Sequence, residues 1–209
     1  MTTEPGRSPS MIRSYTPADA LTIANASCGT VAIFLCLDYM AFDDQRRIWI
    51  AIALLPAALV FDILDGYVAR LNPRRQSVLG ADLDSLSDVI SFGVGPAVLG
   101  YTLGLRGGWD MICLTFFVVC GVSRLARFNA TATLFTASDS KKVSHFEGTP
   151  IPTSILIVGL LALMLWNGHV QRDLWLGVVR IGPLLLHPLV LIYLLSGSAM
   201  ISRVRIPKP

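Results

Sequence analysis

Apolar residues run through this chain in blocks long enough to cross a bilayer, broken by short polar or basic turns. Measured against the roughly 20 residues that a helix needs for the hydrocarbon core, six spans are predicted. They cover about Leu21 to Met40, Ile48 to Val68, Val78 to Leu103, Trp109 to Leu125, Ile151 to Trp166 and Leu174 to Leu195. Thr16-Pro17-Ala18-Asp19 reads as the start of the first helix, with Thr16 as cap, Pro17 at the first helical position and Asp19 in the first turn. Pro56, Pro96, Pro183 and Pro188 fall inside spans and predict kinks, which are tolerated where neighbouring helices cover the freed carbonyls. The fold class expected is an all-α integral membrane protein with six transmembrane helices.

The polar positions that interrupt this pattern are the informative ones. Asp62 and Asp65 lie three apart, and Gly66, Ala69 and Arg70 continue the same helical stripe. After a basic turn at Asn72 to Gln76, Gly80, Asp84 and Asp88 recur every four residues on one face of the next helix. An ionised aspartate at the centre of a membrane helix costs roughly 2.5 to 3.5 kcal/mol on insertion scales. Oxygen donors with no His or Cys nearby suit a hard cation such as Mg²⁺ or Mn²⁺. Two such ions would formally cancel the charge on Asp62, Asp65, Asp84 and Asp88. The plainer alternative is that these acids cap helices or pair with Arg70, Arg74 and Arg75, and Asp82, which points off the shared face, fits that alternative equally well.

Composition agrees with a membrane protein: 53% of residues are hydrophobic, 15% are charged, and the mean hydropathy is +0.61. One domain is expected over residues 16–200, with a polar segment at 1–15 and a basic tail at 201–209. No cleavable signal peptide is apparent. Cys28, Cys36, Cys113 and Cys120 all stand in apolar runs and read as small buried hydrophobes. Placing the amino terminus in the cytoplasm puts Arg7, Arg13, Arg70, Arg74, Arg75, Arg124, Arg127, Lys141, Lys142, Arg203, Arg205 and Lys208 inside. Only Arg46, Arg47, Arg106 and Arg172 then fall outside. This bias puts the acidic stretch toward the cytoplasmic face of the cell membrane. The net charge of +3 carries no nucleic-acid signature.

Asp62, Asp65, Gly66, Ala69, Arg70, Gly80, Asp84 and Asp88 together resemble the signature of the CDP-alcohol phosphotransferases, D-x-x-D-G-x-x-A-R followed by G-x-x-x-D-x-x-x-D. The spacer between Arg70 and Gly80 is one residue longer than is usual there, which reads as an extra turn residue near Asn72-Pro73. Three further stretches resemble the phosphatidylserine synthase branch: Asp84 through Ala97, Ser123-Arg124-Leu125-Ala126-Arg127-Phe128-Asn129, and Phe146 through Pro152.

The resemblance implies transfer of a phosphatidyl group from CDP-diacylglycerol to L-serine, with Mg²⁺ or Mn²⁺ as a pair of ions and a metal site between helices 2 and 3. It implies that Asp62, Asp65, Asp84 and Asp88 hold the metals and that Asp88 is the general base. CDP-lipid would be bound by Asp62, Gly66, Ala69, Arg70 and Gly80. Small residues let a base and a phosphate approach the backbone, although helix packing explains them too. Arg124 and Arg127, three apart on one helix face, and Asn129 are the candidates for the acceptor site. Arg70 and the two arginines also suit a role as interface anchors. Lys141, Lys142 and His145 read mainly as loop residues, and His169 and His187 show no partner pattern. Membrane lipids and a second copy in a homodimer are the partners implied, and no nucleic acid. Other acceptors, such as inositol phosphate or glycerol phosphate, stay open, as does an archaeal-type ether-lipid donor. A cation transporter lined by the same aspartates is the alternative of another class.

Overall fold

The computed structural model describes residues 15–71, 80–136, 145–202 and 205–207. The expected basic turn, Lys141, Lys142, Arg203 and Lys208 lie outside the described residues. Helix α1 (Pro17–Phe42) opens as the sequence predicts. Thr16 Oγ1 accepts from the Asp19 amide at 3.3 Å while the Thr16 amide donates to Asp19 Oδ2 at 2.7 Å, a reciprocal pair that satisfies two end donors. Asp43 and Asp44 reverse the chain into α2 (Gln45–Leu71), and the Asp43 amide caps the Tyr39 carbonyl from a left-handed conformation. Arg47 bonds Asp38 across this turn. α1 and α2 pack along much of their length.

The third apolar run is continuous from Gly80 to Leu103 but not uniform. It comprises α3 (Gly80–Asp88), a π-helical segment Val89–Val94, and α4 (Gly95–Leu103). Pro96 explains the irregularity. Its ring would clash with the carbonyl four residues back in a regular helix, and the widened turn, in which the Gly95 amide reaches the Ile90 carbonyl, accommodates it. α5 (Gly108–Thr136) follows a tight turn. After β1 (His145–Glu147) and a 3₁₀ turn at Ile151–Ser154 comes α6 (Ile155–Trp166). Among the described residues, four helical runs are long and apolar enough to cross a membrane: Pro17–Phe42, Gln45–Leu71, Gly80–Leu103 and Gly108–Ala130. Ile151–Trp166 and Pro188–Ile201 are shorter apolar helices.

The sixth expected span, Leu174 to Leu195, is not one helix. Its first half folds as a hairpin of β2 (Val179–Ile181) against β3 (Leu184–Leu186), and α7 begins only at Leu191 and ends at Ile201. The physical reason lies in Gly182, which takes a φ of 63°, and Pro183, whose ring cannot continue a helix; β-branched Val178, Val179 and Ile181 then favour the extended form. His187, read as partnerless, has a partner. Its Nδ1 lies 2.5 Å from Oδ2 of fully buried Asp110, and its amide donates to Asp110 Oδ1 at 2.8 Å. Asp110 also accepts from the Gly107 amide at 2.7 Å, so one carboxylate ties the start of α5 to the approach to α7. A last short strand, β4 (Arg205–Pro207), pairs antiparallel with β1.

The core between α4, α5 and α7 centres on Phe117 and Tyr193, packed edge to face at 5.2 Å. Tyr193 is fully buried and donates its hydroxyl to the Pro96 carbonyl at 2.7 Å, so the aromatic ring carries its polar end into a partner. Cys36, Cys113 and Cys120 are buried and Cys28 is half-buried, all as free thiols. Close helix approach depends on small residues. A Cβ at Gly29 would lie 2.4 Å from Ser91 Oγ and 2.8 Å from Ser91 Cα, so α1 touches the π-helical segment directly. Gly159, by contrast, has open space where a Cβ would go.

These two glycines predict opposite effects of one substitution. Gly29→Ala presses a methyl group against the hydroxyl and Cα of Ser91 and is expected to cost about 1 to 3 kcal/mol. Gly159→Ala adds helix propensity and is expected to gain up to about 1 kcal/mol. Thermal unfolding of both variants in detergent, read against the parent chain, checks the pair.

Candidate active site

The acids that the sequence singles out come from α2 and α3. Helical spacing places Asp62 and Asp65 on neighbouring positions of α2, and Asp84 and Asp88 one turn apart on α3. The structure brings three of them together. Asp62, Asp84 and Asp88 each offer one carboxylate oxygen, and these atoms all lie within 4.8 Å of one another. Asp88 is buried, and Asp62 and Asp84 are half-buried. Asp62 stands nine residues before the end of α2, and Asp84 and Asp88 stand four and eight residues after the start of α3, which is about 6 to 14 Å along the helices at the rise of an α-helix.

Asp65 is buried beside this trio but engaged elsewhere. Its Oδ2 accepts from Thr22 Oγ1 at 2.6 Å. Thr22 and Asn25 lie three apart on α1, and the buried face of that helix runs Asp19, Thr22, Asn25, Gly29, Ala32, Cys36, Tyr39. Asn25 is fully buried and its Nδ2 donates to Asp88 Oδ1 at 3.4 Å. Sequence reasoning passed over Thr22 and Asn25, although polar residues at helical spacing within an apolar span were a usable signal. Ser91, whose hydroxyl donates to the Asn25 carbonyl at 2.9 Å, was legible only as part of a motif stretch.

The remaining candidates are placed as follows. Gly66 and Ala69 are half-buried on α2, and Gly80 is the half-buried first residue of α3. Arg70 is exposed at the end of α2 and folds back along it; its guanidinium passes 3.6 Å from where a Gly66 Cβ would be. Arg124 is half-buried on α5, close enough to Asp88 for their charges to interact, and its Nε is buried without a hydrogen-bond partner among the described residues. Arg127 is exposed on the next turn. Asn129 is tied to α3 rather than to the trio: its Nδ2 donates to Ser85 Oγ at 3.0 Å and lies 3.4 Å from Asp82 Oδ1. Asp82 is exposed, as its place off the acidic face requires.

A match to the CDP-alcohol phosphatidyltransferase family model covers residues 15–194. The chain belongs to that family. The matched region takes in every helix that contributes to the acidic trio, together with Thr22, Asn25 and Arg124. The chain is 38% identical to the CDP-diacylglycerol–serine O-phosphatidyltransferase of Saccharomyces cerevisiae over 96% of its own length and 73% of that protein. It is 38% identical to the enzyme of the same name from Mycobacterium leprae over 71% of its length and 49% of that protein. To the archaetidylserine synthase of Methanothermobacter thermautotrophicus it is 37% identical over 67% of its length and 54% of that protein. It therefore spans about half the length of the latter two relatives.

CDP-alcohol phosphatidyltransferases are generally dependent on a divalent metal. The residues present fit such an ion. The donors are all carboxylate oxygens, which suit Mg²⁺ or Mn²⁺ rather than a softer metal. Three like charges converge within 4.8 Å in apolar helices, an arrangement that is unfavourable until a cation joins it.

Charge crowding gives a test that needs no substrate. In excess chelator, Asp62→Asn is expected to stabilise the protein by about 1 to 3 kcal/mol, because one of three converging charges is removed. With Mn²⁺ the order reverses, since the parent chain gains more from binding the ion than the variant does. Melting temperature in detergent, with and without metal, reads both halves, and Asp82→Asn is expected to leave both unchanged.

Proposed function

We propose that this protein transfers a phosphatidyl group from CDP-diacylglycerol to the hydroxyl of L-serine, giving phosphatidylserine and CMP. The observation that carries the reading is the convergence of Asp62, Asp84 and Asp88 in a chain of this family. The names of all three relatives contain serine, and only the archaetidylserine synthase differs in the lipid, which supports serine as acceptor over inositol phosphate or glycerol phosphate. The family match supports a transferase over a transporter.

Asp62, Asp84 and Asp88, with Asp65 adjacent, are the residues that would hold a pair of Mg²⁺ or Mn²⁺ ions. Bound there, the ions offset the charge of the diphosphate and of the departing CMP. The chain's own groups do the rest. Asp88 takes the proton from the serine hydroxyl. The hydroxyl oxygen attacks the phosphorus that carries the diacylglycerol, and the bond from that phosphorus to the CMP oxygen breaks, its electron pair leaving with CMP. Gly66, Ala69 and Gly80 keep the facing surfaces of α2 and α3 low enough for the nucleotide to approach the backbone, and Arg70 supplies a forked donor for phosphate at the open end. Arg124 is the stronger candidate for the serine carboxylate, because it is half-buried beside Asp88 whereas Arg127 is exposed. Asn129, bonded to Ser85, supports this wall of the acceptor site through α3.

The basic-residue bias supports an orientation with the site toward the cytoplasm, within a cell-membrane domain at 16–200. Two shorter helices, Ile151–Trp166 and Pro188–Ile201, complete six crossings in this reading. The family resemblance supports a homodimer.

Release of CMP from CDP-diacylglycerol by purified protein is expected to require serine and to stop in excess chelator, returning with Mg²⁺ or Mn²⁺. Asp88→Asn is expected to lower kcat by roughly 10² to 10⁴. Arg124→Ala is expected to raise the KM for serine about tenfold or more, the loss of a charge-assisted contact of about 1.5 to 3 kcal/mol, with the KM for CDP-diacylglycerol unchanged. Full turnover in chelator, or serinol reacting as well as serine, would overturn the reading.

A further inference from the structure

α1 carries no acid of the family motif, yet it supplies a side-chain hydrogen bond to the Asp88 carboxylate. The donor is Asn25, buried at 0% exposure in an apolar helix. An ionised carboxylate only accepts, so the amide must turn its NH₂ toward Asp88 and its carbonyl oxygen away. That oxygen is buried and has no hydrogen-bond partner among the described residues. Packing alone would not select such a residue. A leucine fills a similar volume without leaving a buried acceptor unpaired.

The backbone at Asn25 is held from the same direction. Ser91 lies three residues after Asp88, in the π-helical segment, and its hydroxyl donates to the Asn25 carbonyl at 2.9 Å. Gly29, one turn along α1, has no side chain to prevent this approach; a Cβ there would sit 2.4 Å from the Ser91 hydroxyl. Asn25 therefore bonds both ends of a short stretch of the third span: side chain to Asp88, main chain to Ser91. The two contacts fix the rotation of Asp88 relative to α1. Among three carboxylates within 4.8 Å of one another, repulsion favours turning one away, and this clamp opposes it.

We propose that Asn25 is a positioning residue for Asp88, holding its carboxylate in the orientation that receives the acceptor's hydroxyl proton, with Ser91 and Gly29 fixing Asn25 in turn. The inference rests on the assignment of Asp88 as the base. A residue that acts only through Asp88 changes turnover and not the affinity for either substrate. It also has nothing left to do once Asp88 cannot take a proton.

The test is steady-state kinetics of Asn25→Leu in the parent chain and in an Asp88→Asn background, with CDP-diacylglycerol and serine each varied and Mn²⁺ saturating. In the parent background kcat is expected to fall about 10- to 100-fold while both KM values stay within about twofold. In the Asp88→Asn background, assayed at raised protein concentration, the same substitution is expected to change kcat by less than about twofold. A purely structural role predicts the same fractional loss in both backgrounds. Equal losses, an unchanged kcat, or a loss recovered by more Mn²⁺ would each overturn the proposal. Should Asn25→Leu not fold, Asn25→Ser and Ser91→Ala carry the same comparison, and the same background dependence is expected of each. A parent chain with no serine-dependent CMP release overturns the proposed function and this inference with it. Normal parent turnover with background-independent variants overturns the inference alone.

Discussion

Carboxylates set inside apolar helices are the constraint from which the rest of this structure follows. Each ionised aspartate inside an apolar helix is unfavourable by roughly 2.5 to 3.5 kcal/mol on insertion scales, and here Asp62, Asp65, Asp84 and Asp88 share one region. Different neighbours relieve different members of the group. Asp65 takes a hydroxyl hydrogen bond from Thr22, Asp88 takes the Asn25 amide and feels the Arg124 charge, and Asp62 and Asp84 converge with Asp88 within 4.8 Å. Uncharged donors on α1 lower the cost of burying these carboxylates without cancelling the charge that a divalent ion would seek.

Bringing three helices onto one cluster requires them to approach closely, and the chain achieves this with small residues and one irregular turn. Gly29 lets α1 touch the segment after Asp88. Gly121 on α5 leaves room for Ile151, whose Cδ1 also lies 3.7 Å from where a Gly93 Cβ would be. The π-helical segment between Asp88 and Pro96 absorbs the proline and turns Ser91 onto Asn25. Widened helical turns recur at functional sites because they re-aim side chains without breaking the helix, and this one sits immediately beyond the last acid of the motif.

The far end of the molecule is organised by another buried carboxylate with a different task. Asp110 gathers two backbone amides and the His187 ring, so its carboxylate is engaged on both oxygens. It holds the approach to α7 against α5, and α7 then places Tyr193 beneath Pro96. Asp88 is a buried aspartate too, but among the described residues its carboxylate takes a hydrogen bond from the Asn25 amide where Asp110 takes two backbone amides and a ring nitrogen.

Much was legible from the sequence because it is periodic and local. Apolar run length gave the four long spans, spacing of three and four put Asp62, Asp84 and Asp88 on facing stripes, and the Thr16–Asp19 start followed from local hydrogen bonding alone. The motif residues carried the family by themselves. The sequence could not show which acids meet, because that depends on how α2 and α3 rotate against each other and against α1. Tertiary packing sent Asp65 to Thr22, half-buried Arg124 while leaving Arg127 exposed, and tied Asn129 to Ser85. It also decided the sixth apolar run, where hydropathy is blind to conformation: Gly182 and Pro183 break the helix that composition alone would allow. His187 found Asp110 across 77 positions of chain, a contact no local pattern encodes because only the folded packing of α5 and α7 brings the two together.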